Sequence, residues 1–284
     1  VFQDSLVRRP MLYRAMRTGF LAFTLGWLGW YAGGQLSIVN VMSYFQALFT
    51  HTDWSYFLLD PIIFIVSVYV ALTLLVLGRG VFCGWLCPFG ALQELLNKAA
   101  QFLKLPQARI PGNAHERLWA IKYLVAAVTL GLVFVSVDMA GAAAEVEPFK
   151  TAINGYFMRA WPFTLYAVSL LVVGLFVERF YCRFMCPLGG ILAVLGRIHM
   201  FRWLKRRPQC GTECRICEAD CPIGAIAPSG TINMNECLQC MDCQVDYYDD
   251  RTCPPLIQRR KRREVRKTAI ATAGPLGPAA VSAE

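Results

Sequence analysis

The C-terminal third of the chain carries Cys210-x3-Cys214-x2-Cys217-x3-Cys221-Pro222, followed by Cys237-x2-Cys240-x2-Cys243 and a late Cys253-Pro254. Two cysteine triplets, each with its own remote Cys-Pro, are a slightly stretched form of the bacterial ferredoxin run that holds two 4Fe–4S clusters. There, three near cysteines wrap one cluster while the remote Cys-Pro of the same motif crosses to the other. The rule assigns Cys210, Cys214, Cys217 and Cys253 to one cluster, and Cys221, Cys237, Cys240 and Cys243 to its partner. Proline after the remote cysteine ends local helix and leaves the thiolate in a defined turn. Two structural zinc sites are the competing reading, but zinc modules pair Cys-x2-Cys with a distant second pair. The departures are three residues after Cys210, where two are usual, and nine between Cys243 and Cys253. Iron–sulfur clusters store single electrons, so the expected role is electron transfer rather than self-contained catalysis.

Of the 284 residues 56% are hydrophobic, and the mean hydropathy is +0.43, above what a soluble domain needs to bury a core. The expectation is an α-helical membrane protein. Four apolar segments, Thr18 to Gly34, Pro61 to Leu77, Leu118 to Val137 and Ala160 to Val177, each approach the ~20 residues that cross the hydrocarbon. They predict four transmembrane helices arranged as two repeated hairpins, with a small α+β two-cluster ferredoxin-like domain on the cytoplasmic side. The expected boundaries are a basic segment at 1–17, the transmembrane domain at 18–205, the ferredoxin-like domain at 206–257 and a disordered basic, low-complexity tail at 258–284. Cations cluster before the first segment, between the second and third (Arg79, Lys98, Lys104, Arg109, Arg117) and after the fourth. That pattern puts both termini and the cysteine-rich region at the cytoplasmic face of a bacterial inner membrane. The chain opens on Val1 without a signal peptide, which reads as a fragment lacking an upstream part.

The two halves resemble each other. Cys83-Gly-Trp-Leu-Cys87-Pro88-Phe-Gly90 closes the second segment, and Cys182-Arg-Phe-Met-Cys186-Pro187-Leu-Gly189 closes the fourth. A pseudo-twofold axis along the membrane normal would bring the copies together. Cysteines at i and i+4 have Cβ atoms ~5–6 Å apart, too far for an intrahelical disulfide. Facing repeats would gather Cys83, Cys87, Cys182 and Cys186 into one thiolate site suited to iron–sulfur, copper(I) or zinc. The alternative is four small buried apolar side chains.

His51, His115 and His199 are isolated and read as interfacial rather than as ligands. Asp60, Lys122, Asp138 and Glu178 lie near segment ends, where charges reach the interface. Glu145 and Glu147, in Ala144-Glu-Val-Glu-Pro-Phe-Lys150, read either as a quinol or proton site or as a solvated loop. The basic run Arg259 to Arg263 points to anionic membrane lipid or water. With no DNA-reading module in the sequence, direct nucleic-acid binding is not expected.

At Cys83-Gly-Trp-Leu-Cys-Pro-Phe-Gly-Ala-Leu-Gln-Glu-Leu95, His115-Glu-Arg-Leu-Trp119, Ala144 to Ala152, the second Cys-x3-Cys-Pro and Asp249-Asp-Arg-Thr-Cys-Pro-Pro255, the chain resembles the membrane and polyferredoxin part of NosR proteins. NapH and CcoG proteins are similar at the cysteine motifs only. The resemblance implies a cytoplasmic-membrane protein that supports nitrous-oxide reductase in denitrification, with FMN carried only on a missing upstream domain. It also implies alternatives: a copper-handling or maturation factor, and a membrane-tethered regulator of reductase gene expression.

Overall fold

The computed structural model describes residues 2–50, 61–108, 110, 112–201 and 203–272. His51, Asp60, Arg109 and the end of the tail, 273–284, lie outside the described residues.

Two short helices open the chain, α1 (Phe2–Val7) and α2 (Pro10–Phe23), the latter with proline in its first turn. α2 runs on as a π-helical stretch, Thr24–Tyr31, that ends at Gly33 with φ +60°, the left-handed conformation in which glycine carries no Cβ penalty. α3 (Ile38–Thr50) and α4 (Pro61–Leu77) follow, and Gly78 (φ +86°) terminates α4 by donating to the carbonyls of Thr73 and Leu74. A π-helical turn, Phe82–Leu86, leads into α5 (Pro88–Phe102). The middle of the chain forms α6 (Gly112–Leu132), α7 (Val137–Ala143) and α8 (Trp161–Phe176). α9 (Phe180–Phe184) and α10 (Pro187–Leu195) then repeat the pattern of turn, Cys-Pro and helix. α5 packs between α2, the first π-helical stretch and α8, while α10 packs on α6. Gly190 makes the second contact close, because a Cβ there would stand 2.9 Å from the Lys122 carbonyl oxygen.

The four-span expectation is corrected. Among the described residues no helix is long and apolar enough to cross a membrane. α4 and α8 have 17 and 16 residues, roughly 25 Å at ~1.5 Å per residue against a hydrocarbon layer of ~30 Å. The first apolar segment is divided between α2 and the π-helical stretch. α6, with 21 residues, carries Glu116, Arg117 and Lys122. The α+β expectation fails as well. Among the described residues there are no strands, only two isolated bridges, Cys210 with Cys214 and Ile226 with Ile232. The cysteine-rich region is instead turns around α11 (Ile216–Ala219) and α12 (Asp242–Tyr248). The basic run Arg259 to Arg263, expected to be disordered, is helical and lies within α13 (Pro254–Thr272).

Candidate metal centres

All twelve cysteines are free. Cys210, Cys214, Cys217 and Cys253 line one cavity with about 480 Å³ of empty space. Arg207 Nη1 donates to Cys253 Sγ at 2.9 Å, and Cys253 immediately precedes the first turn of α13. Cys221 lies close enough to Cys237, Cys240 and Cys243 for their negative forms to repel one another. Cys221 and Cys237 also share one apolar cluster with Ile223, Ala225 and Leu238. Cys221, Cys237, Cys240 and Cys243 are thus neighbours, as are the four cysteines that line the cavity. The sets adjoin where the Cys217 thiol donates to the Cys243 carbonyl at 3.7 Å. Backbone and side-chain donors already point at sulfur: Gln239 N reaches Cys237 Sγ at 3.3 Å and Gln244 Nε2 reaches Cys243 Sγ at 3.7 Å.

The repeated Cys-x3-Cys-Pro motifs also meet. Cys83, Cys87, Cys182 and Cys186 line one cavity with Gln35, Phe82, Phe89, Phe149, Tyr181 and Leu188. Each Cys-Pro cysteine caps the helix it precedes: Cys87 Sγ accepts from Gly90 N at 3.5 Å, and Cys186 Sγ from Gly189 N at 3.3 Å. The repeats grip each other reciprocally through arginines. Arg79 Nη1 donates to Gly189 O at 3.0 Å, and Arg179 donates to Cys83 O at 2.5 Å and Gly84 O at 3.1 Å.

These buried cations are paired. Glu94 receives Arg17 at 2.8 Å and Arg179 at 2.5 Å, with all three side chains at most 4% exposed. Burial alone would raise the Glu94 carboxyl, but Arg179 and Arg17 outweigh it and hold it well below the usual range. Glu236 likewise receives Arg79 at 3.0 Å and Lys122, and Tyr123 donates to it at 2.5 Å. Lys122 does not reach an interface: it is fully buried, and burial pushes its ammonium down to about 8.

The cysteine-rich region is bolted onto both repeats. A Cβ on Gly84 would stand 1.9 Å from the Leu238 carbonyl oxygen, so only glycine permits this approach. Trp85 Nε1 donates to Gln239 O at 3.1 Å, and Gln239 Nε2 to Leu77 O at 2.5 Å. At the position matching Gly84, the second repeat has Arg183, which donates to Pro222 O at 3.3 Å. Tyr13 and Arg17 both donate to Cys240 O. The set containing Cys221 and Cys237 thus stands between the C-terminal cavity and the four-thiol chamber, with Cys83 packed against its apolar cluster.

Two of the three sets line cavities. Among the described residues no three His, Cys, Asp or Glu converge on a single-ion site, whereas one tetrahedral zinc needs all four sulfurs ~2.3 Å away. Burial raises Cys237 to about 11 and Cys243 to about 12, so their thiolates need nearby positive charge. Arg206 stands beside Cys243, Cys217 and Cys210. The donor set fits iron–sulfur clusters.

Sequence reasoning missed Arg17, Arg79, Arg179, Glu94 and Glu236. Their one visible signal was charge adjoining or inside the motif stretches. His115 is buried against Trp119 and Phe184 beside Arg183, and burial lowers its imidazole to about 4. His199 faces Gly196 O at 3.1 Å. Of the paired acids, Glu145 meets Lys150 and Arg159, whereas Glu147 is 1% exposed and accepts from Ser37 Oγ and Ile38 N. A solvated loop therefore describes Glu145 and not Glu147.

A family model described as NosR matches residues 208–264, and one described as a 4Fe-4S binding domain matches 59–106 and again 160–209. The second falls on the two repeats. A Pseudomonas aeruginosa protein titled "Regulatory protein NosR" is 56% identical over 92% of this chain and 36% of its own length. "Protein NirI" of Paracoccus denitrificans is 56% identical over 92% of this chain and 38% of its own. A shorter Pseudomonas aeruginosa "Regulatory protein NosR" is 52% identical, with 82% of it covered by 29% of this chain. The chain belongs to the NosR family. As a NosR-family chain it carries a duplicated 4Fe-4S binding domain besides the ferredoxin-like run. It spans little more than a third of the length of the two longer relatives. No solved structure matches it.

Proposed function

We propose that this chain is an iron–sulfur electron relay with three stations, serving nitrous-oxide reduction in denitrification. The observation that supports it is adjacency: twelve free cysteines fall into three neighbouring sets of four, with the Cys221, Cys237, Cys240 and Cys243 set in the middle. Bound 4Fe–4S clusters supply one-electron storage and transfer. The residues supply the rest. Cys210, Cys214, Cys217 and Cys253 hold the outer station, and Cys83, Cys87, Cys182 and Cys186 the inner one. Arg206 offsets thiolate charge between the outer and middle sets. Arg79, Arg179 and Gly84 keep the inner and middle sets together, and the aromatic walls of Phe82, Phe89 and Phe149 exclude water.

The partner proposed is the nitrous-oxide reductase system, on family membership. The site proposed is the cytoplasmic face of the inner membrane, reached by surface contact. Large apolar side chains are exposed on α4 and on α8, among them Ile65 (65%), Leu72 (60%), Leu75 (55%) and Leu165 (60%), surfaces suited to lipid or protein. The regulatory label of the relatives is compatible with a redox role and adds no site.

Serine variants test the three-set reading. Cys253→Ser, Cys237→Ser and Cys186→Ser should each remove a different signal from the electron paramagnetic resonance spectrum of the reduced protein. If Cys186→Ser leaves iron and spectrum unchanged, the inner station is lost from the account. Copper lost in that variant with iron retained would make the chamber a copper site.

A further inference from the structure

The four-thiol chamber contains a polar atom for which the relay reading gives no use. Tyr181, the residue before Cys182, is 1% exposed and lines the cavity with the four cysteines. Its hydroxyl has no hydrogen-bond partner. The ring is held edge-on against Phe89, with centroids 5.5 Å apart and planes at 88°. Buried tyrosine hydroxyls find a partner, because desolvating one without an acceptor costs free energy. The rest of the wall does not supply one. Phe82, Phe89, Phe149 and Leu188 are apolar, and Gln35 is committed: its Nε2 donates to Leu36 O at 2.9 Å and Cys87 Sγ at 3.6 Å, while its Oε1 accepts from Phe89 N at 3.3 Å.

The repeats sharpen the point. Phe82 precedes Cys83 as Tyr181 precedes Cys182, so at matched positions the two halves differ by one hydroxyl. Packing of the ring does not require it. An acceptor is required, and the acceptors a four-thiol site brings are the sulfurs of the group it holds. Hydrogen bonds to those sulfurs stabilise the more negative, reduced state and raise the reduction potential.

We propose that the Tyr181 hydroxyl donates a hydrogen bond to a sulfur of the iron–sulfur group in this chamber and raises its reduction potential. The inference rests on the reading of the chamber as an iron–sulfur site. Tyr181 acts as a positioning residue: no bond to it forms or breaks, and its proton stays on oxygen.

The test uses the full chain purified without oxygen as wild type, Tyr181→Phe and Cys182→Ser, with iron and sulfide counted and redox titrations followed by electron paramagnetic resonance. Cys182→Ser identifies the chamber's reduction step by abolishing or altering it. Tyr181→Phe should keep the wild-type iron and sulfide and move that step alone to lower potential. A full iron count with an unmoved step overturns the proposal. So does loss of iron in Tyr181→Phe, since Phe82 shows that phenylalanine fits the matched position. A Cys182→Ser protein with unchanged iron and unchanged steps overturns the reading of the chamber itself, a result distinct from the other two.

Discussion

Glu94 illustrates how single residues hold the centres in place. It is one carboxylate between two buried guanidiniums, and its partners lie 77 and 85 residues away in the chain. No local pattern could reveal that pairing. Truncating one partner of a buried ion pair leaves uncompensated charge, at a cost of about 3–5 kcal/mol. Glu94→Gln should therefore lower the free energy of denaturant unfolding by roughly that amount. An unchanged midpoint would remove the Arg17 and Arg179 contacts from the account. The two buried acids also pull the pH dependence in opposite directions. The Glu94 carboxyl is lowered, so its contribution is present above its ordinary value and is lost as pH falls through the lowered one. Burial pushes Glu147 up to about 8 against the hydrogen bonds from Ser37 and Ile38. The folded protein then binds more protons than the unfolded chain from the ordinary carboxylate value of 4.5 up to about 8, so stability falls as pH rises through that window. Glu147→Gln should flatten this fall. Unfolding free energies for both proteins from pH 5 to 8 check it, and parallel curves would contradict it.

At the scale of elements, the legible features were those written in short spacings. The two cysteine triplets and the Cys-Pro caps of α5 and α10 depend on neighbours within a few residues, so they can be read directly from the sequence. Hydropathy counts, by contrast, located the apolar runs Pro61 to Leu77 and Ala160 to Val177, which coincide with α4 and α8, but did not show that helices of 17 and 16 residues fall short of a span. Nor did they show the change from α2 to a π-helical stretch within the first run. Docking between elements was equally invisible, because it depends on the absence of a side chain at Gly84. Gly84→Ala places a Cβ 1.9 Å from the Leu238 carbonyl oxygen and should displace the Cys237 to Cys243 loop, costing about 1–3 kcal/mol and lowering middle-station iron. Gly131→Ala in α6 meets nothing within 4 Å and should stabilise the helix by about 0.5–1 kcal/mol. Equal effects of the two substitutions on iron content would show that the close approach at Gly84 does not matter.

The whole molecule sets the three groups of four cysteines side by side. Both repeats contribute thiols to the chamber, and both touch the cysteine-rich region, through Gly84 on one side and Arg183 on the other. The paired motifs predicted two membrane hairpins with an α+β ferredoxin-like cap, whereas among the described residues no helix is long and apolar enough to cross a membrane and no strand forms. The arrangement of that cap over the chamber was not predictable, since it is set by contacts such as Arg79 with Glu236 across 157 residues. The most direct test is the iron and acid-labile sulfide content of strictly anaerobic protein, read with the spectrum of its fully reduced form. The account predicts about twelve iron and about twelve sulfide per chain, four of each for every cysteine set, with three separable reduced signals. Colourless protein, free of iron or carrying about two zinc ions instead, would contradict it.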